Sequence, residues 1–291
     1  MPATGTDWTV KAVLDWTTSH LTKQGFDSPR LDAEVLLAHA KGCRRIDLYA
    51  SYQERLDDGV RGKMRDLVKR RANAEPVAYL VGHKEFYGLR FAVTPDVLIP
   101  RPESELLVQH AVEHVRGLGL EKARVLDLCT GSGCVAVAIA AALPRAEVIA
   151  TDVSDAALAV ASQNAETLGV ADRVEFREGD LFGPVADEPP FDVIVSNPPY
   201  VPDGDWAGLA PDVREHEPRS ALTAGADGLD LVRRIAGDVA GRLVAGGRLL
   251  VEIDPPQFPT CESLFSGVGP VNALAEPCGR PRVVSVVTDA P

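Results

Sequence analysis

From Arg124 onward, short apolar runs alternate with stretches of helical periodicity, and this alternation constrains the fold more than any other feature of the chain. Repeated β-α-β units of this kind form a mostly parallel sheet with helices on both faces. The sequence therefore predicts an α/β, Rossmann-like domain. The predicted strands cover residues 124–128, 147–151, 173–178, 192–196, 248–253 and 283–287, and the predicted helices between them cover 134–142, 156–168 and 230–243.

The residues before this alternation predict a small N-terminal helical bundle over 1–75. Ser28 and Pro29 mark a helix start, because proline suits the first helical position. Apolar side chains then recur at helical spacing, and they do so again over residues 59–71.

A β-hairpin linker is predicted between the two parts, over residues 76–98. Two β-rich runs, 79–81 and 89–93, are separated by glycines that favour turns. A proline-rich stretch follows and opens a helix that continues through His114. The predicted domains are therefore 1–75, 76–98 and 99–291.

The first strand of the alternation ends in a glycine-rich turn, Cys129-Thr130-Gly131-Ser132-Gly133. Glycines let the backbone turn tightly and approach a ligand closely, and the NH groups of the next helix favour a polar or anionic group. The turn also fits the dinucleotide pattern G-x-G-x-x-A, so NAD and S-adenosylmethionine are both open at this point. Asp152, at the end of the second strand, could accept hydrogen bonds from the ribose hydroxyls of either.

Asp127 favours the methyl donor over the dinucleotide. A carboxylate buried near the end of the strand would repel a pyrophosphate, but it would pair with the ammonium of a methionine moiety. Asp180 and Leu181 follow the third strand, where an acidic and an apolar residue could bracket adenine.

The most informative stretch is Asn197-Pro198-Pro199-Tyr200, at the carboxyl end of a hydrophobic strand, where open α/β sheets bind their ligands. The side-chain carbonyl of Asn197 and the backbone carbonyl of Pro198 can each accept one hydrogen of an NH2 group. The prolines hold these carbonyls rigidly, and Tyr200 offers a flat face to a planar amide or base. Two acceptors can align a weakly nucleophilic amide nitrogen with an electrophilic methyl group and stabilise the charge that develops. The motif therefore predicts methylation of a planar amide or amine nitrogen.

Composition and charge narrow the classes of protein further. No apolar run reaches the roughly 18 residues of a membrane helix, and the N-terminus lacks the features of a signal peptide. The five cysteines are scattered without a C-x-x-C pair, which argues against a disulfide framework or a zinc knuckle. We therefore expect a cytoplasmic protein with no metal and no membrane partner.

The charge is unevenly distributed. Residues 1–75 carry 13 Lys and Arg against 11 Asp and Glu, whereas the remainder carries 17 against 31. An acidic main domain is not expected to bind DNA directly through many phosphate contacts. The basic run Lys69-Arg70-Arg71 could meet an acidic partner, but it is more simply explained as a solvated helix face.

With these residues in hand, the sequence resembles the protein-(glutamine-N5) methyltransferases that modify peptide-chain release factors. Asn-Pro-Pro-Tyr alone is shared with adenine-N6 DNA methyltransferases, but its combination with Ile99-Pro100-Arg101-Pro102-Glu103 is far more specific. The resemblance covers most of the chain and is carried by residues 75–82, 98–105, 127–133, 196–200, 217–219 and 227–229.

The resemblance implies a class I methyltransferase domain that transfers a methyl group from S-adenosylmethionine to the glutamine N5 of a Gly-Gly-Gln loop, leaving S-adenosylhomocysteine. The helical domain would dock the release factor, and we expect the protein to be monomeric. The cofactor would be bound by Asp127, Cys129, Thr130, Gly131, Ser132, Gly133, Asp152, Asp180, Leu181 and Asn197. The glutamine would be held by Asn197, Pro198, Pro199 and Tyr200, with Arg101 and Glu103 helping to close the site.

The chain departs from the family pattern in three places. Cys129 replaces a glycine, so its side chain must point away from the cofactor or binding weakens. The turn at 252–257 replaces one that contains glycine, and Pro281 stands where the family tends to have aspartate.

The sequence is also compatible with four other hypotheses. An adenine-N6 nucleic-acid methyltransferase would use the same clamp on a flipped base. An NAD-dependent oxidoreductase would use the glycine turn. His110 and His114 fit the zinc-protease pattern H-x-x-E-H without an evident third ligand. A non-catalytic binding module would keep only the fold.

Overall fold

The computed structural model describes residues 8–289, which divide into two compact units. The first unit contains the described residues up to Gly82 together with Ala210–His216, and the second contains His83–Leu209 and the chain from Glu217 onward. Among the described residues, no helix combines the length and the apolar character needed to cross a membrane.

The first unit is the predicted helical bundle. Asp57 caps its fourth helix by accepting a hydrogen bond from the Val60 NH at 2.8 Å, and Thr9 caps the first. Ser28 lies at the predicted helix start, but its side chain makes no capping hydrogen bond with the described residues. The helices are α1 (Val10–Lys23), α2 (Pro29–Lys41), α3 (Asp47–Ala50), α4 (Asp58–Ala72) and α5 (Val77–Val81).

The basic run at the end of α4 is engaged in ion pairs inside the first unit. Arg70 pairs with Glu75. Arg71 is buried, with its Nε 2.8 Å from Asp32 Oδ2 and its guanidinium 3.9 Å from the centre of the Phe26 ring. Arg71 also lies 3.5 Å from Asp212, in the later segment that belongs to this unit. Two of the three basic residues thus stabilise the bundle itself.

The strand predicted at residues 79–81 is wrong, because these residues form α5. Pro76 precedes the helix and Gly82 ends it with a left-handed φ of 77°. Leu80 and Val81 are buried in the core of the bundle, so tertiary packing overrides their β propensity. The hairpin begins one residue later, with β1 (His83–Phe86) and β2 (Leu89–Ala92). Its turn residues, Tyr87 and Gly88, both have positive φ, as a tight hairpin turn requires.

The second unit contains a seven-stranded sheet in the order β5-β4-β3-β6-β7-β9-β8. The first five of these strands are parallel, and β9 is antiparallel to both of its neighbours. After the hairpin the elements are α6 (Glu105–Gly117), β3 (Arg124–Leu128), α7 (Cys134–Ala142), β4 (Glu147–Asp152), α8 (Asp155–Thr167), β5 (Val174–Glu178), β6 (Phe191–Ser196), α9 (Pro211–His216, in the first unit), α10 (Asp230–Asp238), β7 (Leu243–Glu252), α11 (Phe258–Phe265), β8 (Val271–Ala275) and β9 (Pro281–Val287).

Two hydrophobic cores cover the two faces of this sheet. Because side chains alternate along a strand, Val125 packs in the core that contains α6, α7 and α8, while Leu126 and Leu128 pack in the core that contains α10 and α11. The predicted mostly parallel α/β sheet with helices on both faces is confirmed. The order of the strands reverses between β3 and β6, which is where such sheets bind their ligands.

The C-terminal part differs most from the predictions. The helix predicted over 230–243 ends at Asp238, because β7 already begins at Leu243. Gly241, with a positive φ of 81°, lies in the turn between this helix and the long strand. Strand β8 was not predicted, since it pairs with β9 alone and its residues are only partly buried or exposed.

Candidate active site

A cavity of about 320 Å³ lies at the carboxyl ends of β3, β4, β5 and β6. Its size falls in the range of small-molecule sites. Its lining includes eleven of the predicted site residues: Arg101, Asp127, Cys129, Thr130, Gly131, Ser132, Asp152, Asp180, Leu181, Asn197 and Pro199. The other four predicted site residues, Gly133, Pro198, Tyr200 and Glu103, are not part of the lining.

The two glycines of the loop after β3 have different structural roles. Gly131 has a φ of 54°, and a Cβ at this position would meet no atom of the described residues within 4 Å, so its backbone lies open. Gly133 has a φ of 75°, and its Cβ would lie 2.8 Å from the Cβ of Ala161 on α8. Gly131 thus leaves space for a ligand, whereas Gly133 allows the loop to pack against a helix.

Asp127 is buried beneath this loop, with only 1% of its surface exposed. Its Oδ2 accepts hydrogen bonds from Thr130 Oγ1 at 2.7 Å and from the Ala136 NH at 3.2 Å. Among the described residues no donor bonds to Oδ1, so this oxygen is available to a cation. Burial raises the pKa of Asp127 to about 7, although the two hydrogen bonds oppose the increase.

Asp152 fixes the loop from the neighbouring strand. Its Oδ2 accepts the Gly131 NH at 2.9 Å, and its Oδ1 accepts the Ser154 NH at 3.0 Å. Each oxygen keeps a further lone pair for a ligand hydroxyl. Burial raises the pKa of Asp152 despite these backbone hydrogen bonds.

Cys129 adopts a left-handed conformation, with a φ of 60°. This explains why a glycine is usual at this position of the family pattern, because other residues are strained there. The side chain is partly buried and packs against the core that contains α10 and α11, while still lining the cavity. Burial raises the pKa of its thiol well above the ordinary value, so the side chain is a neutral thiol.

The residues after β5 also border the cavity. Leu181 is buried and has a φ of 46°, and its carbonyl accepts a hydrogen bond from Thr151 Oγ1 at 3.2 Å. Asp180 lies 2.5 Å from Arg234 in an exposed ion pair, which holds it at the rim.

The clamp residues lie at the end of β6. Asn197 donates from Nδ2 to Ser104 Oγ at 2.9 Å, while Pro198 and Pro199 are buried. The Tyr200 hydroxyl lies 3.4 Å from Glu252 Oε1, and the Arg282 guanidinium lies 5.4 Å from the centre of its ring. Burial raises the pKa of Tyr200 strongly, so its hydroxyl stays protonated.

Arg101 is fixed by a buried carboxylate. Its guanidinium lies 2.5 Å from Glu217, whose side chain is 2% exposed and also accepts the Ile99 NH at 3.2 Å. Glu217 therefore joins the segment around Arg101 to the segment that begins at Pro218, and both segments line the cavity. Glu103 is not a lining residue; its negative charge raises the pKa of the nearby Glu252.

Several lining residues were not predicted from the sequence. Val153 and Ser154 directly follow Asp152, so their position after a strand could have indicated them. The segment 95–98 belongs to the predicted linker, and only the tertiary structure shows that it forms one wall of the cavity. The missed lining residues include Pro95, Asp96, Val97, Leu98, Ser104, Val153, Ser154, Pro218, Ser220, Ala221 and Leu231.

The histidines of the H-x-x-E-H pattern do not form a metal centre with a third ligand. His110 Nδ1 lies 3.0 Å from Glu113, and burial lowers the pKa of both His110 and His114. Within residues 8–289, no group of three or more His, Cys, Asp or Glu side chains is arranged to hold a metal ion.

Comparisons with solved structures support the fold. The chain resembles the hMettl16 catalytic domain in complex with a 3′UTR hairpin, with a TM-score of 0.58 and 19% identity over 78% of this chain and 84% of that one. It also resembles a 16S rRNA N2 methyltransferase of T. thermophilus in complex with AdoMet and guanosine, with a TM-score of 0.53 and 21% identity over 71% and 49% of the two chains. At these identities the similarity shows a class I methyltransferase fold.

Sequence comparisons are more specific. The family model of the PrmC N-terminal domain matches residues 12–82, and that of the methyltransferase small domain matches residues 102–210. The release factor glutamine methyltransferase of Rhodopirellula baltica is 42% identical over 97% of both chains. That of Geobacter sulfurreducens is 44% identical over 95% of this chain and 96% of its own. The chain is therefore a methyltransferase that belongs to the release factor glutamine methyltransferase family.

Proposed function

We propose that this protein methylates the side-chain amide nitrogen, N5, of the glutamine in the Gly-Gly-Gln loop of a translation release factor. The observation that most directly supports this proposal is that Asn197 and Pro199 border the same cavity as Asp127 and Asp152. A site for a cationic methyl donor is thereby joined to a pair of fixed carbonyl acceptors. The names of the relatives favour a release factor over adenine as the substrate.

The residues of the cavity fit S-adenosylmethionine better than a dinucleotide. Asp127 offers a free carboxylate oxygen to an ammonium group, and Asp152 offers lone pairs to ribose hydroxyls. Asp180 adds a third carboxylate at the rim. Three carboxylates would repel a pyrophosphate, whereas they suit a ligand with two cationic centres.

S-adenosylmethionine supplies an electrophilic methyl group when it is bound. The chain itself supplies orientation: Asn197 Oδ1 and the Pro198 carbonyl each accept one hydrogen of the substrate amide, and Tyr200 bounds its flat face. Two such acceptors stabilise the positive charge that develops on nitrogen. The product nitrogen is strongly acidic and loses its proton afterwards, so no general base is needed before transfer.

The helical unit docks the release factor in this proposal. Its exposed side chains include Leu31, Ile46 and Tyr49, which offer apolar contacts to a protein partner. The monomeric state and the cytoplasmic location stay predictions, which sedimentation and cell fractionation would test.

The test is to incubate purified release factor with the protein and S-adenosylmethionine, and then to measure its intact mass and map its peptides. The proposal expects one added methyl group on the glutamine of the Gly-Gly-Gln loop. A release factor with that glutamine changed to alanine is the substrate control, and Asn197→Ala is the enzyme control. Methylation at another residue, or of DNA adenine alone, would refute the proposed substrate.

A further inference from the structure

Two polar side chains outside the set of predicted site residues lie buried beside the clamp. Ser104, at the end of a 3-10 helix before α6, is 1% exposed, and Glu252, the last residue of β7, is fully buried. Ser104 Oγ lies 2.6 Å from Glu252 Oε2, and Asn197 Nδ2 lies 2.9 Å from Ser104 Oγ. Asn197 is thus connected through one hydroxyl to a buried carboxylate.

The chemistry of the three groups fixes the direction of these hydrogen bonds. An ionised carboxylate can only accept, so the Ser104 hydroxyl must donate its single hydrogen to Glu252. The Ser104 oxygen then has only lone pairs for Asn197, which must present its NH2 group. The free end of the Asn197 amide is therefore Oδ1, the acceptor that an incoming NH2 group needs.

The same carboxylate contacts a second clamp residue. Glu252 Oε1 lies 3.4 Å from the Tyr200 hydroxyl, which accepts a hydrogen bond from Arg282 at 3.1 Å. One oxygen of Glu252 therefore faces Tyr200 directly, and the other reaches Asn197 through Ser104. A single side chain orients both polar members of the clamp.

We propose that Glu252 and Ser104 are positioning residues that set the orientation of the Asn197 amide for methyl transfer. This inference rests on the proposed function of the site. It gives a role to a fully buried carboxylate, for which the loss of hydration opposes the charged form. Glu252 is not a lining residue of the cavity, so it acts through its neighbours.

The surroundings of Glu252 make this orientation depend on pH. Burial raises the pKa of Glu252 to about 7, the Ser104 hydrogen bond and the Arg282 guanidinium oppose the increase, and the charge of Glu103 adds to it. Arg282 Nε lies 3.9 Å from Glu252, and the same guanidinium lies 3.6 Å from Asp254. A protonated Glu252 can donate to Ser104, whose hydroxyl is then free to donate to Asn197 Oδ1. The Asn197 amide can then flip, so that its NH2 group and not Oδ1 faces the substrate. The rate at saturating cofactor should rise as the pH passes through about 7.

The first arm of the test compares kcat with cofactor affinity in Ser104→Ala and Glu252→Gln. Ser104→Ala is expected to lower kcat about tenfold, as for one hydrogen bond, and to leave the Kd for cofactor unchanged. Glu252→Gln keeps an oxygen that can accept from Ser104 but cannot ionise, so its kcat should no longer depend on pH near 7. Ser285→Ala is the matched control, since Ser285 on β9 is 1% exposed and accepts a hydrogen bond from Arg248 of β7, and neither of these residues lines the cavity. Wild-type kcat in Ser104→Ala would overturn the proposal.

The second arm does not depend on turnover. The sequence has four asparagines, so the side-chain amide of Asn197 can be assigned by nitrogen-15 NMR with Asn197→Ala. Its signals should shift, and its hydrogens should exchange faster, in Ser104→Ala and Glu252→Gln but not in Ser285→Ala. Unchanged Asn197 signals would overturn the positioning role whatever the substrate is. Changed signals in a protein that methylates no release factor would support the positioning role and count against the proposed function alone.

Discussion

Replacing Asp127 by asparagine should weaken cofactor binding and, at the same time, stabilise the ligand-free protein. Asp127 Oδ2 already accepts two hydrogen bonds, from Thr130 and from the Ala136 NH. In Asp127→Asn the amide oxygen must take this position, because both partners donate. The amide NH2 then takes the position of Oδ1. It faces the ammonium of the cofactor, so two hydrogen-bond donors oppose each other.

The magnitude follows from this geometry. A hydrogen bond to a charged group contributes about 1.5–3 kcal/mol, which corresponds to roughly 10- to 150-fold in affinity. Because the variant also places two donors face to face, we expect the upper part of this range, on the order of 100-fold.

The pH dependence has a defined sign. Burial raises the pKa of Asp127 from 3.8 to about 7, so the folded protein binds this proton more tightly than the unfolded chain. The group therefore lowers stability progressively as the pH rises from about 4 to about 7, and the loss is constant above that. Cofactor affinity changes in the opposite direction, since the ionised form pairs with the ammonium.

Calorimetric titration with S-adenosylmethionine at pH 6 and pH 8 measures the affinity, and thermal unfolding without ligand measures the stability. The wild type should bind more tightly at pH 8, whereas Asp127→Asn should bind weakly at both values and melt at a higher temperature than the wild type at pH 8. Asp192→Asn is the control, because Asp192 accepts the Arg124 NH at 2.7 Å outside the cavity. Unchanged affinity in Asp127→Asn would refute the ammonium pairing.

Three further substitutions test other parts of the site. Asn197→Ala should lower kcat several hundred-fold, as for one transition-state contact of roughly 3 kcal/mol, with cofactor affinity retained in calorimetry; equal turnover would contradict its role. Cys129→Gly removes the strain of a φ of 60° and should raise the free energy of unfolding in urea by up to about 1 kcal/mol, so a clear decrease would count against the strain. Gly133→Ala places a Cβ 2.8 Å from that of Ala161 and should lower the free energy of unfolding by about 1–3 kcal/mol. Unchanged stability would show that α8 can shift away from the new methyl group without cost.

Much of the fold was predictable because local sequence and tertiary structure agree there. The strands that end in Leu128 and Ser196 are apolar runs in the middle of a parallel sheet, where burial on both faces leaves a clear pattern. The edge strand β8 has no such pattern, since only one side of it is paired. Residues 79–81 have β propensity, yet they form a helix because they are buried in the helical bundle.

The candidate site likewise contains parts that could be predicted from the sequence and parts that could not. Motifs contiguous in sequence, such as Asp127 with its glycine loop and Asn197 with its prolines, could be recognised because each is a single turn after a strand. Their roles in cofactor and glutamine binding stay predictions. Gly133 could not be separated from Gly131 by sequence, since the difference is the approach of Ala161 from another helix.

The sequence by itself determined the alternation of strands and helices that builds the parallel sheet, the glycine loop, the Asn197–Tyr200 motif and the family. Only the tertiary structure decided that Ser104 and Glu252, which are 148 residues apart, meet beneath Asn197. It likewise decided that Glu217 holds Arg101. The physical reason is that periodicity and turn chemistry act over a few residues, whereas the partner of a buried polar group is chosen by which strand ends the fold brings together.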